Sequence, residues 1–199
     1  MRLIFLIFII FLIIIIYFKI NHRNMTYIKS DIDNKYYLVR DLSDTQQACN
    51  ILASMKKNII KLIDHLYERR DTDYTEYSLN IDRLKDRIYD INISENNGVG
   101  KDTSYSVNKG DELVLCLRSK INWNSFHDNN LIFYVVLHEL SHIASPSYEP
   151  EYNNHGPIFK KIFAFLTNVS INIGIYQKIK FNEKAEEYCG MYITDSIVP

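Results

Sequence analysis

Two histidines four positions apart, His138 and His142, with Glu139 between them, form the only part of this 199-residue chain whose spacing is that of a reaction centre. On a helix, residues i and i+4 project from one face, one turn above the other. That separation lets two imidazole nitrogens share a Zn²⁺ at about 2.0–2.1 Å. Glu139, one residue round, can reach a water beside such an ion without ligating the ion. This is the H-E-x-x-H arrangement, in which the carboxylate serves as general base. The flanking run "LIFYVVLHELSHIA", Leu131 to Ala144, is otherwise almost wholly apolar. A helix buried on most sides must account for each polar group it carries. A bound metal would account for these three.

A catalytic tetrahedral site takes a third protein ligand and leaves one position open. In a longer form of the motif, a glycine and then a histidine follow His142 at steps of three; Ser145 and Tyr148 stand there and exclude it. His155 is the expected third ligand. It precedes Gly156 and Pro157, and proline suits the first turn of a helix. "PIFKKIFAFLTNV" supplies that helix, with Ile158, Phe159, Ile162, Phe163 and Leu166 as its apolar stripe. Gly156 removes a side chain where helix and metal must lie close. The rivals are Glu149, Glu151, Glu183 and Glu186. Met191, in "YCGMY", reads as a core methionine, and His127 reads as a turn residue.

The elements that must hold these residues follow from periodicity. Asp128 or Asn129 can cap the histidine-bearing helix. Upstream, Ser43 and Gln46 have capping-box spacing. Ala48, Ile51, Leu52, Met55, Ile59, Ile63 and Leu66 then recur at i+3/i+4 steps, which predicts one long amphipathic helix. Lys56, Lys57, Lys61, Arg69 and Arg70 fall off that stripe and read as its solvated face, as does His65. A shorter helix is expected around Asn80 to Tyr89. "KYYLVR" (Lys35 to Arg40) reads as a strand. "TSYSVNKGDELVLCLRS" reads as a β-hairpin turning at Asn108-Lys109-Gly110-Asp111. Its second strand, Glu112 to Arg118, is expected to offer a free edge on which an extended peptide could pair. Cys49, Cys116 and Cys189, odd in number and far apart, argue against a disulfide framework or a metal knuckle. Three free thiols are expected, with one bridge such as Cys116 to Cys189 as the alternative.

Sixteen uninterrupted apolar residues, Leu3 to Phe18, lie between Arg2 and Lys19. As a helix they would reach roughly 24 Å, close to the thickness of a hydrocarbon core. No small-residue cleavage site follows. Residues 1–20 are therefore expected to be an uncleaved single-pass membrane anchor, 21–34 a linker and 35–199 the folded domain. Lys19, Arg23, Lys29 and Lys35 against Arg2 would turn the bulk of the chain to the cytosol. A net charge of −1 gives no electrostatic reason to expect a nucleic-acid partner.

The run "HELSH…NHGPIFKKI" resembles the SprT-like and Wss1-like metallopeptidases, minimal zincins in which H-E-x-x-H is followed by H-G-x-x-F or a close variant. The longer pattern, from "YSVNKGDELVLCLRS" through "HDNNLIFYVVLHELSHIA" to "NIGIYQ" and "EEYCGMYI", resembles uncharacterised metallopeptidases of giant DNA viruses. That resemblance implies an α+β zincin-like domain behind the anchor, zinc held by His138, His142 and His155, and a catalytic Glu139. The expected function is a membrane-anchored zinc metallopeptidase acting on protein or peptide substrates, in a host or virion membrane. Tyr148, Tyr152 and Tyr176 are candidates to stabilise the oxyanion. The alternative is a catalytically idle, zinc-stabilised interaction module at a membrane or in a virion. The intact Glu139 argues against it, because a structural zinc site needs no base.

Overall fold

The computed structural model describes residues 7–12, 25–99, 101, 103–122, 125–146 and 155–198. Its order is β1 (Met25–Lys29), β2 (Tyr36–Arg40), α1 (Thr45–Glu68), a 3₁₀ turn at Thr75–Tyr77, α2 (Ser78–Ile88), β3 (Asn92–Glu95), β4 (Tyr105–Val107), β5 (Glu112–Leu115), α3 (Asn129–Ala144), α4 (Pro157–Asn172), β6 (Glu186–Tyr188) and β7 (Met191–Ile193). The domain is α+β, as expected. β1, β2, β3, β5 and β4 lie in that order in one sheet. The β2–β3 and β3–β5 pairs are parallel; the outer pairs are antiparallel. Parallel neighbours need a crossover connection, and α1 with α2 supplies it between β2 and β3.

α1 forms because its apolar stripe has the sheet to bury against. The residues of that stripe are buried, joined by Cys49, Ala53 and Leu62. The expected capping box is absent. Gln46 turns instead to the Lys29 carbonyl and Asp31, and Asp44 occupies the N-cap without a side-chain cap bond. Lys56 is not on a solvated face: its ammonium donates to the Ile91 carbonyl at 2.9 Å. β1 arises inside the stretch read as linker. Only partly buried, it pairs with β2 along its whole length and carries little apolar signal.

The hairpin of β4 and β5 turns at Asn108 to Asp111, with φ values of 46°, 55° and 121° at Asn108, Lys109 and Gly110. A Cβ on Gly110 would lie 3.0 Å from the Arg87 Cβ, so glycine is required by both backbone and space. The free edge is not where the sequence suggested. β5 is flanked by β3 and β4, and the edges are β1 and β4. Alternation identifies a strand but not its neighbours. The strand also ends at Leu115, leaving Arg118 in an isolated bridge with Phe126.

Beyond β5, Arg118 is buried and forked between two acids: Nε to Glu95 at 2.8 Å, and the two terminal nitrogens to Asp44 at 2.6 and 2.8 Å. Phe126 covers the guanidinium face at 4.0 Å. Glu95 also accepts the Arg40 N–H at 2.8 Å. Burial pushes the Glu95 carboxyl up, and these bonds oppose it. The cluster joins α1, β2, β3 and the segment leading to α3.

Two cysteines are not free. Cys116 and Cys189 are disulfide-bonded across a Cα–Cα distance of 6.2 Å, and Cys49 alone is a free, buried thiol. The anchor expected over residues 1–20 lies outside the described residues except for 7–12, which are helical and exposed. Among the described residues no helix is long and apolar enough to cross a membrane, so that expectation gains no support.

Candidate metal centre

α3 begins where the sequence placed it. The Asp128 carboxylate accepts from the Asn130 and Leu131 N–H groups at 2.8 and 3.3 Å. Eleven of its sixteen residues are buried, Glu139 among them. Ser141 is accommodated by bonding back to the Leu137 carbonyl at 2.6 Å. His138 and His142 stand on the face that looks toward the start of α4.

α4 begins at Pro157, with Gly156 as N-cap, and brings His155 over that face. The three Nε2 atoms converge: 3.3 Å from His138 to His142, 3.1 Å from His142 to His155 and 3.1 Å from His155 to His138. A tetrahedral ion at about 2.0–2.1 Å from each nitrogen sets its ligands about 3.3–3.4 Å apart, close to the separations found. Three imidazoles cannot satisfy one another in such a triangle. Each neutral ring offers one N–H and one lone pair, and here all three present the same nitrogen to a common point. The donor set therefore fits a zinc-type cation. His155 is exposed and the other two are half-buried, and among the described residues no fourth ligand joins them.

Phe159, one turn into α4, floors this cluster. Its ring lies 5.0, 4.4 and 4.8 Å from those of His138, His142 and His155, and Phe163 backs His138 at 5.4 Å. Burial first, then the facing His142 and His155, pushes His138 down to about 3. Burial, with His155 and Lys109 adding to it, pushes His142 down to about 4. Both rings are thus neutral, ligand-ready lone-pair donors at physiological pH.

Glu139, the next residue along the helix, is buried in a drier setting. Burial pushes its carboxyl up to about 8, opposed by a hydrogen bond from the main chain of Ser106 in β4. A dication close by would draw that value down again. Ser106 was not among the expected site residues, because no motif connects it to the helix. The hairpin register alone brings it there.

Other expectations fall outside the cluster. Tyr176 is buried against Tyr134, and its hydroxyl accepts from the Ile179 N–H at 3.3 Å, so it belongs to the core. Tyr148, Tyr152, Glu149 and Glu151 lie outside the described residues. Glu183 and Glu186 are paired with Lys180 and Lys184 at 2.8 and 2.7 Å. Met191 is 52% exposed rather than in the core. His127 is no ordinary turn residue. It is buried, its Nε2 accepting the Cys189 N–H at 3.1 Å.

An uncharacterized protein of Acanthamoeba polyphaga mimivirus is 42% identical over 173 residues, 87% of this chain and 84% of that one. The chain belongs to the same family as that protein. No family model matches the chain. The crystal structure of Wss1 from Saccharomyces cerevisiae is similar over 66% of this chain and 85% of that one, at 17% identity and a TM-score of 0.41, too low to bear on function.

Proposed function

We propose that the chain is a zinc-dependent metallopeptidase in which His138, His142 and His155 hold the ion and Glu139 is the general base. The observation that supports this best is the convergence of three Nε2 atoms within 3.1–3.3 Å beside a buried carboxylate. A structural zinc site is closed by a fourth protein ligand; among the described residues this cluster has three. A divalent ion there would supply Lewis acidity, acidifying water and polarising a carbonyl.

The chain's own residues would do the rest. The neutral imidazoles hold a cation without first shedding protons. Glu139 takes a proton from the attacking water at a carboxylate oxygen and delivers it to the leaving amine. The Ser106 N–H bond orients the carboxylate and favours its charged form. β4 is an edge of the sheet and passes alongside Glu139, to which its Ser106 N–H is committed. Phe159 and Phe163 close the cluster from behind.

The test is digestion of an unfolded protein substrate by the zinc-loaded chain and by Glu139→Gln. The variant should retain its metal and fold while losing about 10²–10⁴-fold in rate, the usual contribution of a positioned proton acceptor. Equal hydrolysis by both proteins would remove Glu139 from the reaction. No hydrolysis by either would refute the peptidase reading.

A further inference from the structure

β6 and β7 form a two-stranded sheet of their own, sharing no ladder with the larger sheet. Cys189 and Gly190, both at positive φ (55° and 88°), make the tight turn between them. Cys189 is covalently tied to Cys116, the residue following β5.

The preceding residue, Tyr188, is 1% exposed. Its hydroxyl lies 2.6 Å from the Ser104 Oγ, which also accepts the Cys116 N–H at 2.9 Å. Its ring lies 4.8 Å from that of His127, the ring that accepts the Cys189 N–H. Tyr188 is near enough to Glu139 for the carboxylate to act on the phenol electrostatically. Ser104 leads into β4, whose Ser106 N–H holds Glu139. A continuous set of contacts thus runs from the disulfide through Tyr188, Ser104 and Ser106 to the carboxylate. The imidazoles are positioned separately. Their ring contacts are with one another, Phe159 and Phe163, on α3 and α4.

We propose that the Cys116–Cys189 bridge is a redox latch on the general-base side of the site. Closed, it holds Tyr188 against Ser104 and fixes the Ser104–Ser106 segment that aims the carboxylate. Open, it frees the hairpin and misplaces Glu139 while the three imidazoles keep their geometry. Tyr188 is then a positioning residue. The effect on rate rests on the peptidase reading; the effect on structure does not.

Cys116 and Cys189 are only 4% and 3% exposed, and a cleft of about 790 Å³ lined by Ser104, Tyr105, Cys189, Gly190 and Met191 lies against the Cys189 turn. A dithiol reductant entering there attacks the Cys189 Sγ as a thiolate. The S–S bond breaks, and the Cys116 sulfur leaves and takes up a proton. The reductant's second thiol then attacks the mixed disulfide, releasing Cys189 as a thiol and closing the reductant into its own disulfide. Two electrons and two protons pass to the protein. The Arg118 carbonyl, 3.2 Å from the Cys116 sulfur, is in place to accept the new S–H.

The test uses the full zinc-loaded chain with and without a phosphine reductant, chosen because dithiols also strip zinc. Three readings are taken: alkylatable thiols after unfolding, zinc content, and amide hydrogen exchange. Before reduction one thiol (Cys49) should react, and afterwards three. Exchange should rise across Glu186–Ile193 and at Ser106 but not along α3, and zinc should stay. Where hydrolysis is measurable, kcat should fall about 10- to 100-fold, the cost of roughly an ångström of misplacement, with KM little changed. Tyr188→Phe, which keeps the ring and loses the Ser104 bond, should lower kcat without releasing zinc. Three thiols before reduction would overturn the latch. So would unchanged exchange at Ser106, loss of zinc on opening, or a kcat indifferent to reduction. A hairpin that loosens in a chain with no hydrolysis in either state would keep the latch and reject the peptidase.

Discussion

His155 adopts φ 55°, a left-handed conformation that costs a non-glycine residue about 1–3 kcal/mol. The strain carries its ring across to His138 and His142. Removing that ring should leave a two-ligand remnant. His155→Ala should weaken zinc by more than the about 10- to 100-fold typical of losing an outer-shell partner, as read by competition with a chromogenic chelator. Glu139 gives the pH prediction. Its folded value, about 8, lies above the ordinary carboxyl value of 4.5. It therefore contributes stability that is complete below about 4.5 and is lost as pH rises toward 8. In metal-free protein the stability of wild type relative to Glu139→Gln should fall across that window, as measured by urea unfolding. Added zinc should flatten the trend, because a neighbouring dication favours the carboxylate. At this scale the motif itself was legible: the i, i+4 spacing and the glycine-proline after His155 bring the cluster together. Ser106 and Tyr188 were not, since neither is connected to the helix by any periodicity.

Helices were read more faithfully than strands. α1, α2 and α4 each bury a stripe that can be counted from the sequence, although Ile158, expected in the α4 stripe, is 41% exposed; α3 is buried on most sides, as its apolar run implied. A strand's alternation says which face is buried and nothing about its neighbours, so β5 was taken for an edge and β1 was passed over as linker. β6 and β7 are three residues each, too short for a period to register. The buried Arg118 cluster was equally invisible, since Asp44, Glu95 and Arg118 are brought together only by the sheet. Its energetics make a sharp prediction. Arg118→Met strands Glu95, 2% exposed, without its countercharge and should cost about 3–5 kcal/mol. Adding Glu95→Gln should recover part of that loss. Urea unfolding of the two single variants and the double would show whether the pair is coupled.

For the whole molecule, the disulfide changes the reading most. The thiols were expected to be free and the domain to face the cytosol. A bridge closing a separation of 73 residues instead ties the end of β5 to the β6–β7 turn. In the chain-entropy view such a loop contributes about 4 kcal/mol by restricting the unfolded chain. Composition could not reveal it, because three cysteines fit either state. The fold class was legible, because alternating stretches were interspersed with helical stripes. The family that the chain shares with the mimivirus protein extends over most of both chains.

The most direct measurement is zinc K-edge X-ray absorption on the purified full-length chain, with metal content determined on the same sample. One zinc per chain is expected, its inner shell made of three imidazole nitrogens at about 2.0–2.1 Å and one light oxygen donor. A chain that binds no zinc, or one whose zinc shows sulfur in the inner shell, would contradict a site built from His138, His142 and His155.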